Sequence, residues 1–279
     1  MNYAIVDIET TGGSTKSSKI TEIAIYKHDG NQIIDTFSTL VNPEMPIPEF
    51  ISRLTGIHDK MVEDAPKFYE IARQIIEFTE DCVFVAHNVG FDYGIIRHEF
   101  KQLGYDYRKA HLCTVRASRY VLPGHDSYSL GKLSKALGIE LVDRHRAKGD
   151  AEATAHLFTQ LYAKDSKGLQ TFIQEEVNPK ILHPNLDLDA LEEIPNKPGV
   201  YKFYNDANQL IYIGKSKHIR KRIEQHLKNT KTLKGSIMRQ EIARIEFELT
   251  GSELIALLFE SELIKVHKPQ YNRALRKSS

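Results

Sequence analysis

The chain is poor in cysteine: among 279 residues there are only Cys82 and Cys113, at a spacing that fits neither a metal set nor a disulfide framework. Both lie in or beside apolar runs and read as small reduced hydrophobic residues, which points to the cytoplasm. No apolar stretch approaches the ~18 residues that suggest a membrane-crossing helix, so no membrane association is expected. The first residues read directly as a strand, without a signal-peptide pattern. Internal repeats and low-complexity tracts are absent, and hydrophobic residues at 41% are enough for a real core. Net charge is also nearly absent, at +1, but it is unevenly spread. Residues 195–279 carry 17 Lys and Arg against 8 Asp and Glu, whereas residues 1–194 carry 21 against 29. A split between a +9 region and a −8 region suggests two modes of contact, the basic one suited to a polyanion.

What is present begins with strand patterns. Residues 3–8, 20–28 and 32–41 run apolar or alternate, with a turn at Asp29-Gly30, and predict a three-stranded meander. A proline-punctuated loop covers 42–48. Helical periodicity then covers 64–79, a buried strand 82–87, and helices 92–103, 113–120, 129–137 and 150–163, with Gly138 as a C-cap. Strands followed by alternating helices and strands predict an α/β layer fold with a mixed sheet. Periodicity breaks repeatedly over 164–198, which reads as a linker holding a short helix. The expected domains are therefore 1–165 and 195–279, joined by a 166–194 linker. The second is expected to hold strands 200–204, 210–214 and 245–249, and helices 217–228, 233–243 and 252–266.

Acidic residues mark the first domain. In Asp7-Ile8-Glu9-Thr10-Thr11-Gly12, Asp7 and Glu9 lie on alternate residues of a strand and project to one face. Asp92 closes His87-Asn88-Val89-Gly90-Phe91-Asp92, and Asp150 closes His145-Arg146-Ala147-Lys148-Gly149-Asp150. Taken singly, each has an ordinary explanation: strand-edge acids, acids at helix starts, a surface histidine. Taken together, four carboxylates supply hard oxygen ligands for Mg²⁺ or Mn²⁺, and a pair of such ions can clamp a phosphodiester. His145, five residues before Asp150, is placed to act as general base.

This set, with Leu54-Thr55-Gly56-Ile57, Ser129-Leu130 and Leu137-Gly138-Ile139, resembles the DEDDh branch of the DnaQ-like 3′→5′ exonucleases over residues 1–163. Within that family it is most similar to the proofreading epsilon subunits of bacterial DNA polymerase III. The His-x4-Asp spacing marks the histidine branch. The resemblance implies a ribonuclease H-like fold, a two-ion site on Asp7, Glu9, Asp92 and Asp150, and contact between Thr10 and the terminal nucleotide.

A second resemblance begins at Pro198-Gly199-Val200-Tyr201 and Tyr212-Ile213-Gly214-Lys215. With the basic 216–226 segment, Glu260 and Pro269-Gln270-Tyr271-Asn272, these resemble the GIY-YIG nuclease domain of UvrC-type repair incision proteins over 195–275. The resemblance implies a small α+β domain with a tyrosine base, leaving open whether Tyr201 or Tyr212 serves. Lys215 and Arg222 would assist it electrostatically, and Arg222 would also stabilise charge on the phosphate. Glu260 would anchor one divalent ion. Asn272 matches the terminal motif, whereas Glu262 stands where the family often has Asn. His226 stands where relatives carry an aromatic residue or histidine and reads as ordinary. The run 215–239 holds nine Lys and Arg against one acid, so Lys217, Arg220 and Lys221 are candidate phosphate contacts.

The combined expectation is a cytoplasmic, metal-dependent DNA nuclease acting on single-stranded 3′ ends and on damaged duplex, in repair or replication. DNA polymerase and repair proteins are the expected partners. Three alternatives stand beside it: an exonuclease that trims RNA, a second domain that binds DNA without cutting it, and a polymerase subunit tethered through 164–194.

Overall fold

The computed structural model describes residues 1–228 and 232–272. Two compact units divide between Glu176 and Val177.

In the first unit, β1 (Asn2–Thr10), β2 (Ile20–His28) and β3 (Ile33–Leu40) form the antiparallel meander. Three helices follow: α1 (Glu49–Thr55), α2 (Asp59–Val62) and α3 (Phe68–Phe78). Strand β4 (Cys82–Ala86) returns parallel to β1. After α4 (Val89–Gln102), β5 (His111–Cys113) pairs parallel to β4. Helices α5 (Thr114–Val121), α6 (Leu130–Leu137) and α7 (Ala147–Gln170) complete the unit, giving a mixed five-stranded sheet of order β3-β2-β1-β4-β5.

Alternation along β1 explains both the core and the site. Ala4, Val6 and Ile8 join Phe68, Ile75, Ile96 and Phe100 on one face. Tyr3 and Ile5 join Leu112, Ala117, Leu157 and Phe158 on the other. Period-two geometry continues the Tyr3–Ile5 row into Asp7 and Glu9, so the acids begin where the apolar layer beneath α7 ends.

Helices α1 and α2 fall within 49–62, where no element was expected, and two further features were not legible as elements. The strand β5 is three residues long, too short for a pattern. Helix α4 starts three residues before Asp92, from Asn88 in the left-handed region (φ 82°). The expected 166–194 linker is instead divided between the units. Helix α7 continues to Gln170 across a break at Asp165, and Gln174 bridges to His111. Val177, Leu186, Leu191 and Ile194 pack into the core of the second unit. Four apolar residues spread over eighteen positions have no helix or strand period, so their burial is a tertiary fact.

The second unit holds a 3-10 turn (Pro179–Ile181), α8 (Leu188–Glu193), β6 (Gly199–Tyr204), β7 (Leu210–Ser216), α9 (Ile219–Lys228), α10 (Leu233–Glu241), β8 (Arg244–Leu249) and α11 (Glu253–His267). Its three strands are antiparallel in the order β7-β6-β8. Tyr201 and Phe203 face a core with Ile219, Ile223 and Leu227 of α9, while Val200 and Ile213 face Ala256 and Ile264 of α11.

Candidate active sites

In the first unit, Asp7 and Glu9 from β1 and Asp150 from the first turn of α7 bring one carboxylate oxygen each within 4.8 Å of one another. Asp92 reaches the group from α4 on the opposite side of the sheet. It is buried, and its Oδ1 accepts a hydrogen bond from the Ile8 backbone at 3.3 Å. Its charge acts on both Asp7 and Glu9.

Burial raises the proton affinity of every member, and neighbouring carboxylates add to it at Asp7 and Glu9. Burial, then the Asp92, Asp150 and Glu9 charges, push Asp7 well above the usual carboxylate range. Burial and the Asp150 charge lift Glu9 to about 8, and burial lifts Asp92 to about 7. Asp150 is also raised by burial, against the lowering effect of the His145 backbone amide and charge. A clustered, oxygen-only donor set of this kind fits hard divalent cations.

His145 sits in the left-handed region (φ 63°) and donates its backbone N–H to Asp150 Oδ2 at 3.1 Å. Gly149 allows the turn to close, because a Cβ there would lie 1.9 Å from the Val142 carbonyl oxygen. The Thr10 hydroxyl donates to the Gly12 carbonyl at 2.7 Å, leaving its lone pairs for other partners. His87 contacts Thr114 Oγ1 and the Tyr128 carbonyl through its two ring nitrogens, both at 2.9 Å, and burial lowers its pKa.

One acid beside this group was not singled out in the sequence. Glu22, directly opposite Glu9 on β2, is buried and receives both prongs of the Arg146 guanidinium at 2.9 and 2.7 Å. It also accepts the Ala147 N–H at 2.9 Å. Its signal was available: a glutamate within the largely apolar 20–25 run of a buried strand needs a cationic partner.

In the second unit, Tyr201 and Tyr212 lie with ring centroids 6.2 Å apart. The Tyr201 hydroxyl is 2.9 Å from His226 Nε2, and the His226 ring is 5.1 Å from that of Tyr212. Gly214 makes room for Tyr201, since a Cβ there would come 2.4 Å from the phenol. Burial, then the neighbouring Tyr212, raises the Tyr201 pKa, while Arg222 opposes it with its charge and a hydrogen bond. Burial and Glu260 raise Tyr212. The expected lowering of a phenol is therefore outweighed by desolvation. Burial and the Arg222 charge lower His226 to about 4, so near neutrality the imidazole is uncharged, and in its Nδ1–H tautomer Nε2 accepts the phenol hydrogen. His226 thus belongs to the cluster.

Glu260 on α11 is raised by burial and held by the Lys215 charge and backbone N–H, with Arg222 also nearby. The Lys215 ammonium itself pairs with Glu253 at 3.2 Å, as does Lys217 at 2.9 Å. Asn272 brackets Ile213 on the outer edge of β7, accepting its N–H at 2.9 Å and donating to its carbonyl at 2.7 Å. Arg222 is exposed, with one amino group on Gln225. Arg220 is half-buried and donates to the carbonyls of Ile194 and Glu192 at the end of α8. Lys221 is exposed, and its backbone N–H approaches Asn196.

Residues 4–158 match the exonuclease family described by ribonuclease T, and residues 197–273 match the UvrC-like GIY-YIG domain. A bifunctional exonuclease/endonuclease protein of Mycobacterium tuberculosis is 32% identical over 284 aligned residues, covering 97% of this chain and 44% of that protein. A 3′-5′ exonuclease DinG of Staphylococcus aureus is 37% identical over 215 residues, covering 75% of this chain and 24% of that protein. The chain thus spans less than half the length of these relatives. Among solved structures, Exonuclease X in complex with 5′ overhanging duplex DNA aligns with a TM-score of 0.51 at 26% identity, over 61% of this chain and 97% of that one. The nuclease domain of the DEDDh family member 3′hExo, at 18% identity and TM-score 0.54 over 62% and 96% of the two chains, shares the fold. The chain belongs to the exonuclease family through its first unit and carries a UvrC-like GIY-YIG domain in its second.

Proposed function

We propose that the chain is a DNA nuclease with two metal-dependent centres: a 3′→5′ exonuclease in the first unit and a GIY-YIG endonuclease in the second. The observation that carries the first assignment is the meeting of Asp7, Glu9 and Asp150 within 4.8 Å at a place where burial already raises their proton affinity. Repulsion of that kind is relieved by cations, and Mg²⁺ or Mn²⁺, two in this centre, suit the donors. Bound divalent ions supply charge neutralisation at the phosphate and acidify water. Asp7, Glu9, Asp92 and Asp150 would hold the ions, His145 would take a proton from the attacking water at its imidazole, and Thr10 would contact the terminal nucleotide.

In the second unit the neutral His226 accepts the Tyr201 hydrogen, so that a relay replaces an acidified phenol. Tyr212, whose pKa the Glu260 charge raises, is then the tyrosine beside the carboxylate that would hold a single divalent ion. Arg222, exposed and adjacent to both rings, stabilises charge on the phosphate, and Lys215 orients Glu260. Lys217 and Lys221 are the exposed phosphate contacts.

DNA as substrate is supported by the solved relative bound to overhanging duplex. The pairing of exonuclease and endonuclease names in one relative supports the double activity, and for the chain we infer a place in repair or replication, in the cytoplasm, with polymerase or repair proteins as partners. Both described cysteines are free, and among the described residues no helix is long and apolar enough to cross a membrane.

Release of mononucleotides from 3′-labelled single strands with Mg²⁺, and nicking of bubble or damaged duplex, test the two assignments separately. Full 3′ release by Asp7→Ala, or full nicking by both Arg222→Ala and Glu260→Ala, would defeat the corresponding one. RNA of the same sequence, if digested faster than DNA, would overturn the substrate.

A further inference from the structure

The start of α7 is fastened to the sheet at one residue. Glu22 on β2 has a side chain only 6% exposed, yet it carries a charge directly across the ladder from Glu9. Its two oxygens take up the Arg146 fork, and Oε2 also receives the Ala147 backbone N–H. Arg146 is the residue next to His145, and its carbonyl accepts the Asp150 N–H at 3.1 Å. The Asp150 carboxylate in turn accepts the His145 N–H. Hydrogen bonds joined through the backbone of residues 145–147 therefore link Glu22, across the ladder from Glu9, to Asp150, whose carboxylate clusters with that of Glu9. Gly149 lets this turn approach the Val142 carbonyl, where a Cβ would lie 1.9 Å from the oxygen.

An unpaired glutamate at this depth would be costly, and its negative charge would add to an already crowded cluster. Arginine suits the place because its guanidinium stays charged and meets both carboxylate oxygens in one plane. We propose that Glu22 and Arg146 are positioning residues of the exonuclease centre, which lock the first turn of α7 to β2 and so keep Asp150 within cation-sharing distance of Asp7 and Glu9. The purpose assigned to the pair rests on the exonuclease reading, but its measurement does not require nuclease activity.

The test is calorimetric titration of the full chain with Mn²⁺ alone, alongside melting curves and amide exchange over residues 143–153. Glu22→Ala is expected to weaken Mn²⁺ binding by about 10–100-fold, the usual effect of removing an outer partner of a metal ligand, and to speed exchange at Ala147. Glu22→Gln keeps an acceptor for the Ala147 N–H but loses the ion pair, so a smaller loss is expected. Combining Glu22→Ala with Arg146→Ala should cost no more than Glu22→Ala alone, because the two act as a unit. A purely structural role would lower the melting temperature and leave Mn²⁺ affinity unchanged in the folded variants, and that result overturns the proposal. Additive losses in the double variant overturn it as well. Should Glu22→Ala not fold, Glu22→Gln and Arg146→Lys decide: weakened Mn²⁺ binding in both supports the pair, and unchanged binding removes it. Absence of 3′ release by the unaltered chain would defeat the exonuclease reading, while the titration would still report on the pair.

Discussion

The two centres are built by the same force with opposite results. In the first unit, desolvation falls on four carboxylates near one another, and all four are raised in proton affinity. That centre is electrostatically incomplete in the absence of cations. In the second unit, desolvation falls on two phenols and an imidazole, whose neutral forms it favours. These hydrogen-bond to one another and need no counter-charge. Burial thus makes the first centre depend on metal for its stability, and the second depend on geometry.

The largest effects should separate the centres cleanly. Asp7→Ala is expected to abolish 3′-end release. His145→Ala should lower it ~10²–10⁴-fold, the usual share of a general base, with duplex nicking unchanged in both. Conversely, Arg222→Ala should reduce nicking on the order of 10²–10³-fold and leave 3′ release intact. Loss of both activities in any one variant, measured on end-labelled single strands and nicked duplex, would break the separation.

A geometric prediction sharpens the second centre. Gly214→Ala would drive a methyl group into the Tyr201 phenol, 2.4 Å away, at a cost of about 1–3 kcal/mol of stability. Nicking should be lost while Tyr212 and Glu260 remain in place. Retained nicking would show that Tyr201 is dispensable.

Stability against pH distinguishes the centres next. Glu9 at about 8 and Asp92 at about 7 both lie above their ordinary values, so the folded chain binds more protons than the unfolded one between those limits. Their contribution is therefore full below the ordinary carboxylate range and is lost as pH rises through the folded values. Metal-free protein should melt at lower temperature at pH 9 than at pH 5, by roughly 2–4 °C for each kcal/mol lost. Mg²⁺ should restore most of the difference at high pH, and Asp7→Asn should shrink it. A flat profile in chelator, read by calorimetry, would mean that the carboxylates do not repel as described.

The smallest expected effect lies at the edge of the second sheet. Asn272→Ala removes two hydrogen bonds to Ile213, each worth ~1 kcal/mol, and should lower melting modestly with little change in 3′ release.

Much of the first centre was legible because strand geometry is local. Asp7 and Glu9 share a face by period alone, and Asp150 follows His145 by five residues at a helix start. Glu22 was missed because its meaning depends on register with Glu9 and on Arg146, more than a hundred residues away. His226 was passed over for a similar reason: one histidine on a basic helix carries no sign that it faces a buried phenol. Arg220 shows a contact that its local sequence does not announce. Its place in a run of cations suggested phosphate, but the folded chain gives it the carbonyls of Glu192 and Ile194.

The sequence alone determined which elements form and which face of each is apolar, because periodicity and turn chemistry act over a few residues. It also singled out the carboxylates and histidine of the first centre and the two tyrosines of the second. The tertiary structure decided which of those groups meet, and in which protonation state, because distance and desolvation depend on the whole fold. That is why the segment after α7 became core, why Glu22 and His226 joined their centres, and why both tyrosines became harder to ionise.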